Sequence, residues 1–428
     1  MNSRTAARKQ IPGQPGPEEQ ARAEEHARAD APPASEALPS AASRIAADSQ
    51  QLDVLFVLNN LGIGGSERKI LRLLDRLSGR DLRAGIVCLN GPYTLEPSVP
   101  QHVPLFKLRR SGKLSPATAW RLRQLVVRHR PDTLVAVNLY PALYVAFATG
   151  LALQHPPRTI GLVNTSTFGQ GAWRRSFYRL LLPRLGGTVH GSLAQRALWF
   201  SDGSSAWRRS TVIYNGVDLD QFRASADGEQ GRALRARAGI PPQRFVIGSV
   251  GRLAPEKNQE SLLRALATLR SGGIDAHVLL VGDGPLRERL EQRAAALGVA
   301  TRTTLLGAVT DVRPALAAMD VFVLPSVAVE CFSNAALEAM AMSKAVILSD
   351  IGGAREMVRD RMEGFVIARS ELDARLPALL AALCADTRRR TQLGEAARRR
   401  VASAFSLESM VEGYRNLLRP RAGEESNV

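Results

Sequence analysis

From Leu52 onward, short unbroken runs of apolar residues alternate with longer stretches in which apolar residues recur every three or four positions. The runs predict strands buried on both faces, the stretches predict helices, and their alternation predicts parallel sheets covered by helices. In the first half the predicted strands are Val54–Leu58, Ala84–Leu89, Leu134–Val137 and Thr159–Val163. In the second half they are Phe245–Val250, His277–Val281, Thr304–Leu306, Val321–Leu324 and Ala345–Leu348. Helices are predicted over Arg68–Leu77, with Ile70, Leu71, Leu73, Leu74 and Leu77 inward, and over Pro285–Leu297, Val312–Ala318 and Ala335–Met342. The stretch Leu134–Leu153 has the length of a membrane span, but Asn138 and Pro141 divide it into a buried strand and a following helix.

The rhythm breaks once, after Asn215-Gly216-Val217-Asp218, where polar, Gly-containing sequence from Ser225 to Gly231 intervenes. This places one domain at 51–222 and a second at 223–405, followed by a last segment, 406–428. Residues 1–50 are rich in Ala, Pro, Glu, Gln, Arg and Ser, with few large apolar side chains, and are expected to be a disordered tail. The expected fold class is α/β: two doubly wound Rossmann-like domains facing a central cleft.

In such sheets the loops after the strands gather at one edge, and the helices that follow present free N–H groups and a positive dipole end to the cleft. The stretch Pro325–Gly353 reads as strand end, polar loop, helix and strand, with Ser333 or Asn334 placed to cap the helix. Glu330 precedes that helix and Glu338 lies within it. Two carboxylates beside an anion site repel the anion, so they make chemical sense as ligands for hydroxyl groups. A solvated loop residue and a helix-surface charge are the plain structural alternative. Arg252 and Lys257, five apart on one loop, suit a diphosphate, the guanidinium binding two oxygens and the ammonium acting as a point charge. Arg252, Lys257, Asp283, Asp311 and Glu330 are expected to converge. In the first domain, Gly62-Ile63-Gly64-Gly65-Ser66-Glu67 is no dinucleotide fingerprint, since Glu67 stands at the third glycine position. Its glycines still permit close approach of a ligand. No metal-ligand constellation is present, so positive charge for a leaving diphosphate falls to Arg252, Lys257 and helix N-termini.

The net charge of +17 is unevenly placed: between Glu96 and Asp202 the one acidic residue is Asp132, amid many arginines. A field of that sign attracts phosphates, whether of anionic lipid, a diphosphate-linked substrate or nucleic acid. The amphipathic segments Ala119–Arg130 and Trp173–Leu185 suit an anionic membrane surface, or equally an ordinary core-facing helix with a basic outer face. No aromatic-basic motif or helix-turn-helix pattern supports nucleic-acid binding. Cys88, Cys331 and Cys384 are too few and scattered for a disulfide framework, and no signal peptide is visible. The expected location is cytoplasmic, extending to the inner face of the membrane.

These residues resemble the retaining glycosyltransferases of the GT-B architecture, specifically glycosyltransferase family 4. The most specific match is Glu330 and Glu338 after Pro325-Ser326, continued by Leu337–Ala341 and Ser349–Gly353. Supporting matches are Gly64–Arg68, Asn215–Asp218, Gly251–Leu253 with Glu256–Asn258, and Val281–Leu286. The resemblance implies that Arg252 and Lys257 grip the diphosphate of a nucleotide sugar, with no metal or other cofactor. It implies further that Glu330 touches the donor sugar, Glu338 the ribose, and the backbone of Phe332, Ser333, Asn334 and Ala335 the phosphates. Gly64 and Gly65 would approach the donor from across the cleft, and a helix at Ser409–Leu418 would cross back to the first domain. The acceptor would be a saccharide or lipid-linked, as in cell-surface polysaccharide or glycolipid synthesis.

The chain departs from the family pattern in having Cys331 where glycine is common, Ser343-Lys344-Ala345 in place of Gly-x-Pro, and Asn138 and Asn164 where a histidine often stands. The leading expectation is a retaining transferase. The alternatives are a nucleotide-sugar epimerase or hydrolase of the same architecture and a non-catalytic nucleotide-sugar-binding partner.

Overall fold

The computed structural model describes residues 51–62, 64–77, 82–112, 114–150, 153–154, 156–164, 172–223, 228–328 and 330–419. The predicted tail 1–50 lies outside the described residues, as do Ile63 in the glycine loop, Val329 and residues 420–428.

Two parallel sheets carry the chain. The first contains β1 (Val54–Leu58), β2 (Ala84–Cys88), β3 (Leu105–Lys107), β4 (Thr133–Val137), β5 (Arg158–Val163), β6 (Gly187–His190) and β7 (Ser210–Val212), ordered β3-β2-β1-β4-β5-β6-β7. The second contains β8 (Phe245–Val250), β9 (Ala276–Val281), β10 (Thr303–Gly307), β11 (Val321–Leu324), β12 (Ala345–Ser349) and β13 (Gly364–Ile367), ordered β10-β9-β8-β11-β12-β13. In each sheet the order reverses beside the first strand, and ligands of doubly wound folds bind in the crevice at that switch. Four strands were not predicted: β3, β6, β7 and β13. Each has only three or four residues, and β6 and β7 carry Thr188, His190, Ser210 and Thr211, so no apolar run marks them.

The first sheet is covered on one face by α1 (Gly65–Leu77) and on the other by α2 (Pro116–His129), α3 (Leu139–Gly150) and α4 (Ala172–Leu181). α1 begins earlier than Arg68, at the glycines themselves. α2 is capped by Ser115, whose hydroxyl accepts from Thr118 N at 3.3 Å, and Pro116 fills the first turn, where no N–H is needed. The apolar stretch from Leu134 divides between β4 and α3, and no described helix is long and apolar enough to cross a membrane. The seventh strand is followed by α7 (Gly228–Arg237), reached after α5 (Leu193–Trp199) and α6 (Ser205–Arg208); α7 starts inside the stretch expected to be irregular.

The second sheet is flanked by α8 (Glu260–Ser271), α9 (Arg287–Ala296), α10 (Arg313–Ala318), α11 (Asn334–Ala341), α12 (Ala354–Met357), α13 (Leu372–Ala385) and α14 (Thr387–Ala404). The last helix, α15 (Leu407–Leu418), returns to the first domain: Leu407, Met410, Val411, Tyr414 and Leu418 join Ile70, Leu73 and Leu74 of α1 in one core. Two crossings lie side by side. Val217 N donates to Phe405 O at 3.0 Å and Leu407 N to Val217 O at 2.9 Å. A Cβ at Gly216 would stand 2.3 Å from Ser406 O, so the close approach of these strands requires glycine there.

Candidate active site

The second domain's wall of the cleft is built from the loops after β8 and β11. After β8 the chain leaves Arg252 exposed, with no hydrogen bond or ion pair on its guanidinium among the described residues, and turns through Pro255–Lys257. Gln259 holds this loop by donating from Nε2 to Arg252 O at 2.8 Å. Lys257 forms an ion pair with Glu330, which is only 8% exposed and also accepts from the Ser326 hydroxyl at 3.4 Å. The two charges that the sequence places seven residues beyond β8 and just before α11 therefore meet. Of the other residues expected to converge, Asp283 lies on the adjoining loop, its carbonyl bonded to Leu253 N at 3.0 Å. Its carboxylate turns to Gly284 N at 2.7 Å. Asp311 is engaged by Arg313 at 2.7 Å, and that guanidinium holds its pKa below the usual carboxylate range. Neither acid joins the Lys257–Glu330 pair, because each finds a nearer partner on its own loop.

Between Ser333 and Asn334 the structure chooses Ser333 as the N-cap of α11, its hydroxyl accepting from Ala336 N at 3.3 Å. The first-turn N–H groups of Asn334 and Ala335 precede any intrahelical partner, so the helix end itself offers donors. Phe332 anchors the loop before it: its carbonyl accepts from Asn215 Nδ2 at 2.8 Å, and its ring lies 4.9 Å from Tyr214 and 5.0 Å from Phe405, centroid to centroid. Gly352 shows why the following Gly-Gly is needed. It has φ +56°, and a Cβ there would fall 2.1 Å from Glu330 O. A small cavity behind this loop is lined by Glu330, Cys331, Phe332 and Ser333 together with Leu324 and Leu348.

Glu338, one turn into α11, keeps 13% of its side chain exposed and is approached by Arg72 of α1 at 3.5 Å. Burial raises its pKa, and the charges of Arg72 and Arg68 oppose that rise. At the start of α1, a Cβ on Gly65 would stand 3.5 Å from Asn334 Nδ2. Gly64 is confined by Glu67, whose carboxylate would meet any added Cβ at 2.1 Å. The N-termini of α1 and α11 thus face each other across the cleft.

In the remainder of the first domain's wall, Asn138 and Asn164 stood out in the sequence, whereas Lys69 and Gln195 were missed. Lys69, buried, donates to Asn164 Oδ1 at 2.7 Å. Burial lowers its pKa to about 8. Asn164 N donates to Asn138 Oδ1 at 3.2 Å, and Asn138 holds φ +73°, a conformation asparagine tolerates better than most residues. The thiol of Cys331 donates to Asn164 O at 3.1 Å, and Gln195 Nε2 lies 3.1 Å from its sulfur. Two departures from the family pattern, Asn164 and Cys331, are therefore contact partners across the cleft. The available signal was Lys69 itself, a lysine four residues before Leu73 on the buried stripe of an amphipathic helix. A third departure also has a geometry: Ser343 adopts φ +55°, while Lys344 donates to Ala317 O at 3.2 Å and Met319 O at 2.7 Å.

All three cysteines are free, and among the described residues no three His, Cys, Asp or Glu side chains are grouped to hold a metal ion. Two parallel sheets with facing strand ends, a returning C-terminal helix and helix N-termini opposed across the cleft define the GT-B class of glycosyltransferase fold.

Comparison with known proteins agrees. Residues 63–221 match the family model for Glycosyltransferase Family 4 and residues 231–400 that for Glycosyl transferases group 1. The chain belongs to glycosyltransferase family 4 and is a glycosyltransferase. EpsF of Bacillus subtilis, named as a glycosyltransferase, is 28% identical over 312 residues, 71% of this chain and 80% of that protein. The D-inositol 3-phosphate glycosyltransferase of Mycobacterium tuberculosis is 34% identical over 226 residues, 50% of this chain but 45% of that enzyme. Among solved structures, Anabaena HepE in complex with UDP-glucose superposes with a TM-score of 0.75 at 23% identity, over 86% of this chain and 99% of that one.

Proposed function

We propose that this glycosyltransferase moves a sugar from a nucleoside diphosphate to a saccharide or lipid-linked acceptor, retaining the anomeric configuration. The observation that carries the reading is the grouping of Lys257, Glu330 and the Ser333-capped end of α11 on one wall, with Gly65 of α1 opposite. Arg252 and Lys257 supply positive charge to the diphosphate, and the N–H groups of Ser333, Asn334 and Ala335 bind its oxygens. Phe332 fixes the path of that backbone. Glu330 accepts from hydroxyls of the donor sugar once Lys257 turns to phosphate, and Glu338 accepts from those of the ribose. Gly64 and Gly65 leave room for the donor between the two helix ends.

In the reaction the bond from the anomeric carbon to the diphosphate oxygen breaks, and the acceptor oxygen bonds to the same carbon on the same face. The acceptor proton passes to the departing diphosphate oxygen. Arg252, Lys257 and the end of α11 stabilise the charge that develops there, so the mechanism calls for no metal or other cofactor. HepE, solved in complex with UDP-glucose, supports a uridine-diphosphate sugar as the first donor to try. Cell-surface polysaccharide or glycolipid synthesis at the inner face of the membrane is the setting that fits such an acceptor.

A panel of nucleotide sugars, screened by the rise in melting temperature on binding and then by transfer to mixed saccharide and lipid acceptors, tests this reading. Binding followed by transfer with retained configuration is expected. No thermal response to any nucleotide sugar, or consumption of donor without acceptor as in an epimerase or hydrolase, overturns it.

A further inference from the structure

The turn from Cys331 to Ser333, ahead of α11, is held from the first domain as well as from its own. The first domain reaches it through the short helix α5, which is capped by Ser192, whose hydroxyl accepts from Gln195 N at 3.1 Å. Gln195 faces Cys331, and the backbone before it is pressed against the glycine pair: a Cβ on Gly353 would stand 2.8 Å from Ser192 Cβ and 2.7 Å from the Phe332 ring. On the other side stands Glu356 of α12, a carboxylate that belongs to the second domain and directs its acceptors at the first. Its Oε1 accepts from Ala194 N at 2.9 Å, and its Oε2 accepts from Leu193 N at 2.7 Å and from the Tyr214 hydroxyl at 2.9 Å. A carboxylate at a helix start stabilises that helix by about 1 kcal/mol wherever it comes from. One supplied by the other domain also fixes where the two domains meet.

Tyr214 carries that contact to the turn. Its ring packs 4.9 Å from Phe332 and 5.4 Å from Phe405, and Phe332 lies 5.0 Å from Phe405, so three rings from three segments close on one another. Tyr214 precedes the outgoing crossing at Gly216, Phe405 precedes the returning one at Ser406, and Phe332 precedes the Ser333 cap of α11. The residue after Tyr214, Asn215, is the one that donates to Phe332 O. Burial, and then the bond to Glu356, push the Tyr214 phenol up to about 12, so it remains a donor at neutral pH. α12 is fixed in turn: it begins directly after Gly353, whose N–H donates to Cys331 O at 2.8 Å, and Arg400 donates to Glu356 O at 2.9 Å.

We infer that Glu356 is a positioning residue for the transfer reaction: by joining the start of α5 to the Tyr214 hydroxyl it holds Phe332, and so aims the N–H groups of Ser333, Asn334 and Ala335 at the donor's diphosphate. Glu356 acts through Tyr214 and Phe332, not by contact with the donor. The inference rests on the phosphate-binding role proposed above for that turn. A misplacement of about 1 Å in a group that binds the reacting phosphate is enough to lose much of its effect, so holding the turn governs affinity as well as shape.

Calorimetric titration of the full chain with UDP and with UDP-glucose, alongside melting curves, tests it. Glu356→Gln keeps the shape, but its amide nitrogen cannot accept from an N–H group. It is expected to weaken UDP and UDP-glucose alike by about tenfold, because the turn serves the phosphates common to both. Tyr214→Phe keeps the ring on Phe332 and removes the hydroxyl, and about a threefold loss is expected. The double variant is expected to match Glu356→Gln alone, since the two groups act through one contact. Arg355→Gln, at an exposed neighbour on α12 paired with Asp350, serves as the control and should bind as the parent does. Tyr214→Phe retains the packing and should melt close to the parent, so it tests the inference even where Glu356→Gln loses stability. The inference is overturned by parental affinity in Tyr214→Phe and Glu356→Gln, by a fall in melting temperature with affinity unchanged, by losses that add in the double variant, or by a loss confined to UDP-glucose. A parent that binds neither probe overturns the proposed uridine-diphosphate donor and this inference together. A parent that binds both, with variants that bind equally, overturns this inference and leaves the proposed function standing.

Discussion

The two walls of the cleft are made in different ways. The wall from the second domain comes largely from one continuous stretch, Pro325–Gly353, plus a single neighbouring loop, and its polar groups pair within that unit: Lys257 with Glu330, Ser326 with Glu330, Ser333 with its own helix. The wall from the first domain is assembled from Lys69, Asn138, Asn164 and Gln195, which lie on four separate segments and meet only when the sheet forms. A charge-bearing unit that folds as one piece keeps its geometry through local capping and glycine contacts. A wall assembled from distant segments keeps it through buried hydrogen bonds, here centred on a lysine that burial disfavours as a cation. The difference predicts that the second domain's wall tolerates mutation in stability but not in donor chemistry, and that the first domain's wall couples stability, pH and domain contact.

The largest expected effect tests the donor wall. Lys257→Ala and Glu338→Ala should each lower transfer by about 10²-fold or more, by analogy with the loss of one preorganised charge-stabilising group. Nucleotide affinity should fall with it while the melting transition stays cooperative. Unchanged nucleotide binding in both variants would remove the assignment of this wall to the donor.

Lys69 sharpens the contrast through pH. Its folded pKa of about 8 lies below the ordinary lysine value of 10.5, so above pH 8 the folded state releases a proton that the unfolded state retains. Stability from this group therefore rises with pH between about 8 and 10.5, by on the order of 3 kcal/mol if the full shift is expressed. Denaturant titrations of the parent and of Lys69→Met at pH 7.5 and at pH 10 check it, the comparison cancelling other titrating groups. A gap between the two proteins that does not move toward the parent as pH rises contradicts a buried, penalised cation.

Arg72 joins the walls. Arg72→Ala removes the one guanidinium placed 3.5 Å from Glu338 and should weaken nucleotide-sugar binding by about fivefold, the scale of 1 kcal/mol for a partly exposed pair. Calorimetric titration with donor measures it, and an affinity equal to that of the parent makes the contact incidental. The smallest effect concerns Ser343, held at φ +55° where glycine carries no penalty. Ser343→Gly should raise stability by about 1 kcal/mol without changing transfer, read from the denaturant midpoint. A loss of stability would mean that the hydroxyl, not the backbone, matters at this position.

How much of this was legible beforehand follows the same division. Glu330, Glu338, Ser333 and Lys257 could be singled out because their roles depend on neighbours a few residues away or on the rule that loops after parallel strands share one edge. The convergence of Asp283 and Asp311 with them could not be judged, since each acid had a local partner, Gly284 N and Arg313, that the strand rule does not see. The strands β3, β6, β7 and β13 escaped because each is only three or four residues long, and β6 and β7 also lack an apolar run.

By itself the sequence determined the period of each long element, the two-domain α/β class and the motif that places two carboxylates at a helix start, because all of these are set by contacts within about one turn or one loop. Tertiary structure alone decided that Lys69 reaches Asn164, that Asn164 meets Cys331, that Arg72 faces Glu338, and that Glu356 meets Tyr214 and the start of α5. These depend on strand order and on the crossing at Val217 and Ser406, which pairing between distant segments fixes and which no local periodicity encodes.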